Sequence, residues 1–401
     1  MSIPSALSLA PAPRPVSVDR ALRVGVLALG GLGGSSRVAY DLACGLATEG
    51  HQVCMLSSPD PWWRLESRSG VTVVPVPVPR APEPARARWV DPLAAALART
   101  VQTHDLQVLS VHYGVGLAAA AVHARHRLRD QGRALRICTT LHGTDVTHWG
   151  DAPRQGPALA EALRACDAVT AVSDWLAGRA HRLLALPVRP QVIANGVDTD
   201  LFRPAALREV SSRPVLCHAS NFRAVKRPLD AIDVLGALRG RGLDADLVMV
   251  GDGPLRPDAE AHAASRGLDK HVRFLPPAPP ARLAALLRTV DLSLVTSASE
   301  SFGLFALESM ATGVPVLGTR CGGLEEVFAA DASGELGTTL LADVGDVEGL
   351  ALRAARVLSD AHTLVRLRRR ALTVGRTAFP RRQHLRRFAA VLDRIAPGDH
   401  P

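Results

Sequence analysis

The segment from Asp291 to Pro315, reading D-L-S-L-V-T-S-A-S-E-S-F-G-L-F-A-L-E-S-M-A-T-G-V-P, constrains the fold of this chain more than any other. Its apolar opening, Asp291 to Thr296, reads as a buried parallel strand. Gly313 ends a helix, and Pro315 sits in the turn to the next strand. Glu300 then falls on the loop at the carboxyl end of a strand, where open α/β sheets bind ligands. Gly303 is expected in the first helical turn, whose free N–H groups and dipole attract anions. Glu308, eight positions after Glu300, is expected about two turns into the helix, on a face that reaches the same crevice. One carboxylate beside a phosphate-binding helix tip and another behind it suit a nucleotide-sugar, one holding sugar hydroxyls and the other ribose hydroxyls.

The rest of the chain repeats this alternation. Arg23–Leu29 reads as a first strand, followed by G-G-L-G-G-S-S and a helix from about Val38 to Glu49. The glycine spacing is not a clean G-x-G-x-x-G, and no acidic residue follows at the distance a dinucleotide site needs. What remains is a turn that lets backbone approach a phosphate or an acceptor. Strand patterns follow at Gln52–Ser57, Val71–Val76, Leu106–Val111, Leu135–Leu141 and Ala168–Val172, with helices such as Pro92–Thr103 and Gly116–Arg127 between most of them. A second series has strands at Val215–Ala219, Asp246–Val250, Val272–Leu275, Leu292–Thr296 and Val314–Leu317. Its helices are expected at Pro228–Arg239, Ala281–Thr289, Phe302–Thr312 and Val347–Leu358. The implied fold class is α/β, with two Rossmann-like doubly wound domains facing a cleft. The expected boundaries are a disordered tail at 1–21, an N-terminal domain at 22–206 and a C-terminal domain at 207–379. The hinge loop is expected to run to about Pro214. Leu385, Phe388, Leu392 and Ile395 recur at helical spacing, so a last helix, 380–396, is expected to pack back on the first domain.

With 401 residues, two domains are the prior. No run of about 18 apolar residues suggests a membrane span, and the Pro- and Ala-rich start lacks the basic-then-apolar pattern of a signal peptide. Six scattered cysteines without paired spacing fit reduced thiols and a cytoplasmic setting. The net charge of +9 comes almost entirely from arginine, since only Lys226 and Lys270 are lysines. Aromatic residues for base stacking make up 4% of the chain, which argues against a nucleic-acid partner. Oligomeric state is not legible, and a homo-oligomer stays open.

Three further motifs end strands facing the cleft. S-N-F-R-A-V-K-R, Ser220 to Arg227, places cations where a departing diphosphate needs neutralising. L-H-G-T-D, Leu141 to Asp145, offers His142 as a polar stabiliser. V-H-Y, Val111 to Tyr113, offers a hydroxyl to the same pocket. Asp198-x-Asp200 and Asp244-x-Asp246 look like metal motifs but lack a third ligand, so no metal is expected.

Together these motifs resemble the retaining family-four glycosyltransferases with the B-type, two-Rossmann fold (GT-B), over nearly everything from Arg23 to the C-terminal helix. The most specific element is the Glu300/Glu308 pair, joined by V-G-D-G-P (Val250 to Pro254) and N-G-V-D-T-D-L-F-R-P (Asn195 to Pro204). Within the family, L-H-G-T-D, V-T-A-V-S, H-A-S-N-F-R-A-V-K-R and V-H-Y look most like the bacillithiol-pathway branch, which joins N-acetylglucosamine from UDP-GlcNAc to L-malate.

The resemblance implies that Glu308 binds ribose and Glu300 the sugar hydroxyls. It implies that Gly34, the amides of Phe302, Gly303 and Leu304, and Lys226 hold the donor, with His142 by the anomeric centre. His142, Lys226 and Glu300 are thus the implied catalytic set. Ser35, Tyr113, Thr140, Asn221 and Arg223 would receive the dicarboxylate acceptor. The wider family carries Arg where this chain has Asn221. The implied chemistry needs no cofactor: same-face attack with retention, the departing phosphate taking the acceptor's proton. The competing readings are a lipid or inositol-phosphate acceptor, with the basic C-terminal segment touching a membrane surface, and a UDP-sugar epimerase.

Overall fold

The computed structural model describes residues 20–31, 33–58, 70–79, 87–205 and 213–397. Nearly all of the expected N-terminal tail, and most of the loop at the expected domain boundary, lie outside these residues.

The first sheet has seven parallel strands: β1 (Arg23–Ala28), β2 (Gln52–Ser57), β3 (Val71–Pro75), β4 (Val108–His112), β5 (Arg136–Leu141), β6 (Ala168–Ala171) and β7 (Gln191–Val192). Their order is β3-β2-β1-β4-β5-β6-β7. The second sheet has six: β8 (Val215–Ala219), β9 (Asp246–Val250), β10 (Val272–Leu275), β11 (Leu292–Val295), β12 (Val316–Thr319) and β13 (Leu341–Ala342), ordered β10-β9-β8-β11-β12-β13. β4 and β11 are buried along their whole length, as strands covered on both faces must be. Each sheet reverses direction of growth once, between β1 and β4 and between β8 and β11, and a crevice opens at such a switch point.

At the cleft, two helix starts differ from the sequence reading in ways that bear on the site. The first helix is Gly34–Thr48 and so takes in the last glycine of the turn and Ser35 to Arg37. Gly303 precedes its helix rather than sitting in the first turn; it is left-handed, with φ of 96°, and the helix is Leu304–Ala311. A Cβ at Gly303 would stand 2.6 Å from Leu324 Cδ1, so both backbone angle and space favour glycine.

The C-terminal helix Arg381–Ile395 returns to the first sheet. Leu385, Phe388, Val391 and Leu392 join the cluster formed by β1, β2 and the helix Gly34–Thr48. Arg381 fixes its start, donating to Asp198 Oδ2 at 3.1 Å and to the Asp41 carbonyl at 3.2 Å. No described helix is long and apolar enough to cross a membrane, and all six cysteines are free thiols.

Candidate functional site

The strand ends of both halves line one cleft of about 560 Å³. On the second-half wall, Thr296 Oγ1 donates to the Lys226 and Arg227 carbonyls at 3.1 and 2.9 Å. The Ala298 amide donates to Val225 at 2.8 Å. These bonds tie the turn after β8 to the loop after β11 and bring Lys226 Nζ to 2.7 Å from Glu300 Oε1. Ser297 Oγ donates to the same carboxylate oxygen at 2.7 Å. The first amide of the Leu304–Ala311 helix with a preceding carbonyl to bond is Leu307, on Gly303 at 3.1 Å. The amides ahead of it form the unpaired N-terminal set that attracts anions. V-G-D-G-P passes so close beneath this wall that a Cβ on Gly251 would lie 1.8 Å from the Ser220 carbonyl, and one on Gly253 1.9 Å from that of Asn221. The wall therefore combines a cation, a carboxylate and free amides, a set suited to a phosphorylated, hydroxyl-rich ligand.

Apart from Arg37, the described side chains that line the first-half wall carry no charge. Asp145 is fully buried and gathers the amides of His142, Gly143, Gly114 and Val146 on its carboxylate, the shortest being Gly143 at 2.7 Å. Burial raises its pKa while these amides oppose the shift. This cradle shapes the loop that presents His142. Gly143 has φ of 136° and lies against Ser301, whose Oγ donates to the His142 carbonyl at 2.5 Å and so joins the two halves. Burial lowers His142 to about 3, so its imidazole is neutral. Tyr113 OH pairs with Thr144 Oγ1 at 3.1 Å, and burial raises the phenol pKa.

Gly34, Ser35, Tyr113, His142, Asn221, Arg223, Lys226, Glu300, Phe302, Gly303, Leu304 and Glu308 all line this cleft. Thr140 does not. It is fully buried and accepts a hydrogen bond from Thr170 Oγ1 at 2.9 Å inside the sheet, so the structure removes it from the acceptor set. Asp198 accepts from the Asp200 and Leu201 amides and pairs with Arg381, while Asp244 and Asp246 are ion-paired with arginines. Each thus serves a turn or an ion pair.

Three residues carry roles that pattern reading did not assign. Arg37, from the first-half helix, lies 2.5 Å from Glu308 Oε1, with its guanidinium 5.5 Å from the Phe202 ring centroid. Burial lifts the Glu308 carboxyl to about 7 and outweighs Arg37, which acts in the opposite direction. His218 lines the cleft, bonded to Ser220 Oγ at 2.9 Å and lowered to about 4 by burial. His112 bonds His142 from beneath, with 3.0 Å between their nitrogens.

The comparisons agree with this architecture. The model for Glycosyltransferase Family 4 matches residues 32–201, and that for Glycosyl transferases group 1 matches 202–374. The N-acetyl-alpha-D-glucosaminyl L-malate synthase of Bacillus anthracis is 32% identical over 346 residues, 84% of this chain and 88% of its own length. The D-inositol 3-phosphate glycosyltransferase of Corynebacterium glutamicum (strain R) is 35% identical over 213 residues, 49% of this chain and 50% of its own. The crystal structure of Anabaena HepE in complex with UDP and glucose shares the fold with a TM-score of 0.77 at 19% identity, covering 93% of this chain and 99% of that one. With both halves matched, one relative spanning them and the two-sheet cleft in place, this chain belongs to the group 1, family 4 glycosyltransferases of the GT-B fold.

Proposed function

We propose that this glycosyltransferase moves N-acetylglucosamine from UDP-GlcNAc to L-malate with retention of configuration and without a metal ion, the first step of bacillithiol biosynthesis. The observation that carries the reading is the extent of likeness: the malate-glycosylating relative matches across both halves, 84% of this chain. In this reading Glu308 takes the ribose hydroxyls, which requires Arg37 to yield its place on that carboxylate. Lys226 keeps one N–H on Glu300 and has two left for the diphosphate, beside the amides of Phe302, Gly303 and Leu304. Gly34 approaches the donor from the first half, and Glu300 receives sugar hydroxyls.

Arg223 and Asn221 face Ser35 and Tyr113 across the cleft and together hold the two carboxylates of malate. The bond from C1 to the phosphate oxygen breaks as the malate 2-hydroxyl attacks the same face, and that phosphate oxygen takes the hydroxyl proton. Lys226 and the amides stabilise the charge that grows on the diphosphate. Incubation with UDP-GlcNAc and L-malate in EDTA, followed by proton NMR of the product, tests all three elements. The small anomeric coupling of an α-linked malate adduct is the expected result; a β-linked adduct, or none, contradicts the reading.

A second reading, an inositol-phosphate acceptor, is favoured by the inositol 3-phosphate relatives, each matching about half of this chain or less. Arg223 would then meet a phosphate in place of a carboxylate. The same incubation with inositol phosphate as acceptor separates the two.

A further inference from the structure

Ser110 and His112 lie two residues apart on β4, so their side chains share one face of the first sheet. Both are fully buried. The C-terminal helix covers that face, and its Phe388 ring stacks on the His112 imidazole with 5.8 Å between centroids and 27° between planes. Ser110 Oγ is 3.2 Å from His112 Nε2, and His112 Nδ1 is 3.0 Å from His142 Nε2. A line of three polar groups thus runs from the sheet interior to the cleft.

Donor counting sets the direction of its protons. A buried hydroxyl without an acceptor is costly, and among the described residues the Ser110 hydroxyl bonds only His112 Nε2. The Ser110 O–H therefore donates to that nitrogen. A neutral imidazole that accepts at Nε2 carries its proton on Nδ1. That Nδ1–H donates in turn to His142 Nε2, which leaves the His142 proton on Nδ1, the nitrogen with no bond to any described residue. Burial keeps both rings neutral, holding His112 well below its ordinary pKa and His142 at about 3.

We infer that Ser110 and His112 are positioning residues that lock His142 in its Nδ1–H tautomer, so that it offers a hydrogen-bond donor, and not a base, to an oxygen of the bound sugar donor. The inference rests on the proposed placement of His142 beside the donor sugar. It assigns proton removal from the acceptor elsewhere, in keeping with the departing phosphate as the base. It also gives the C-terminal helix a part in the site, because Phe388 holds the middle ring of the line.

Nitrogen-15 NMR of histidine-labelled, unliganded protein at neutral pH tests the lock, with His142→Ala assigning the signals. The expected result is a protonated, pyrrole-type Nδ1 and an unprotonated Nε2 on His142. H112F keeps a ring against Phe388 but removes the donor, and S110A, a smaller change, removes the constraint at the far end. Both should give mixed tautomers at His142 and lower kcat for sugar transfer by about tenfold, with donor KM nearly unchanged. H112N, whose amide N–H stands close to the imidazole Nδ1–H, should restore both readouts. A proton on Nε2 of wild-type His142, or tautomers unaltered in H112F and S110A, would overturn the inference. So would mixed tautomers with unchanged kcat. The NMR arm needs no substrate, so absence of malate-dependent turnover together with a locked Nδ1–H would count against the proposed acceptor and for the lock.

Discussion

On the second-half wall of the cleft, Lys226 and Glu300 form an ion pair beside the free amides at the start of the Leu304–Ala311 helix. On the facing wall, Tyr113, Thr144 and His142 carry no charge and are tied to one another or to groups beneath them. The contrast matches two tasks. A diphosphate presents charge that has to be met by charge and by oriented amides, and it does so whatever sugar it bears. In the proposed reading the opposite wall selects an acceptor by shape and by hydrogen-bond direction, which neutral groups of fixed orientation do without attracting every anion that arrives. Two arginines cross the divide. Arg37 reaches from the first half to Glu308, and Arg223 is carried by the second half toward Tyr113.

The comparison breaks most visibly at Lys226. Lys226→Ala should lower kcat by roughly 100- to 1000-fold with little change in donor KM, since the charge it meets develops in the transition state. Equal losses in both terms would reduce it to a binding residue.

Glu308→Gln should weaken UDP-GlcNAc binding by roughly 10- to 100-fold in calorimetric titration, the cost of removing a charged acceptor from ribose hydroxyls. The pH dependence follows from the same residue. Its folded pKa of about 7 lies above the ordinary carboxyl value, and in the proposed reading ribose hydroxyls donate to the ionised form. Affinity should therefore be full above pH 7 and fall by up to about tenfold for each pH unit below it, a slope that Glu308→Gln abolishes. The facing wall sharpens the contrast, because His142, neutral down to about 3, adds no slope in that range.

Arg223→Ala should raise acceptor KM about tenfold while leaving donor affinity alone. The smallest effect is expected at Thr140. Thr140→Val loses only the contact to Thr170 within the sheet, so acceptor KM should not move, and a tenfold rise would return Thr140 to the acceptor set.

The second-half wall was largely legible in the sequence because its parts are local: a strand end, a loop glutamate, a glycine and a helix within a short stretch. Even there the helix begins at Leu304, since the left-handed backbone of Gly303 interrupts the turn that the pattern suggested. The first-half wall was legible only in outline. His112 passed as part of a strand end beside a useful tyrosine, because the role inferred for it depends on Ser110 below it and on Phe388 of the last helix above it. Arg37 carried no signal, since its partner Glu308 lies in the other half of the chain. Thr140 misled because a polar residue near a strand end says nothing about which face its hydroxyl takes, and the pleat turns it toward Thr170. The helix Ala361–Thr377 escaped notice as well. Its run of arginines obscures the buried stripe of Leu364, Leu367, Ala371 and Val374.

The account is tested most directly by UDP release from UDP-GlcNAc in EDTA, measured with L-malate, with inositol phosphate and with no acceptor. It predicts release that depends on L-malate and survives the chelator, with inositol phosphate close to the background. Release driven by inositol phosphate, release that needs no acceptor, or release abolished by EDTA would each contradict it.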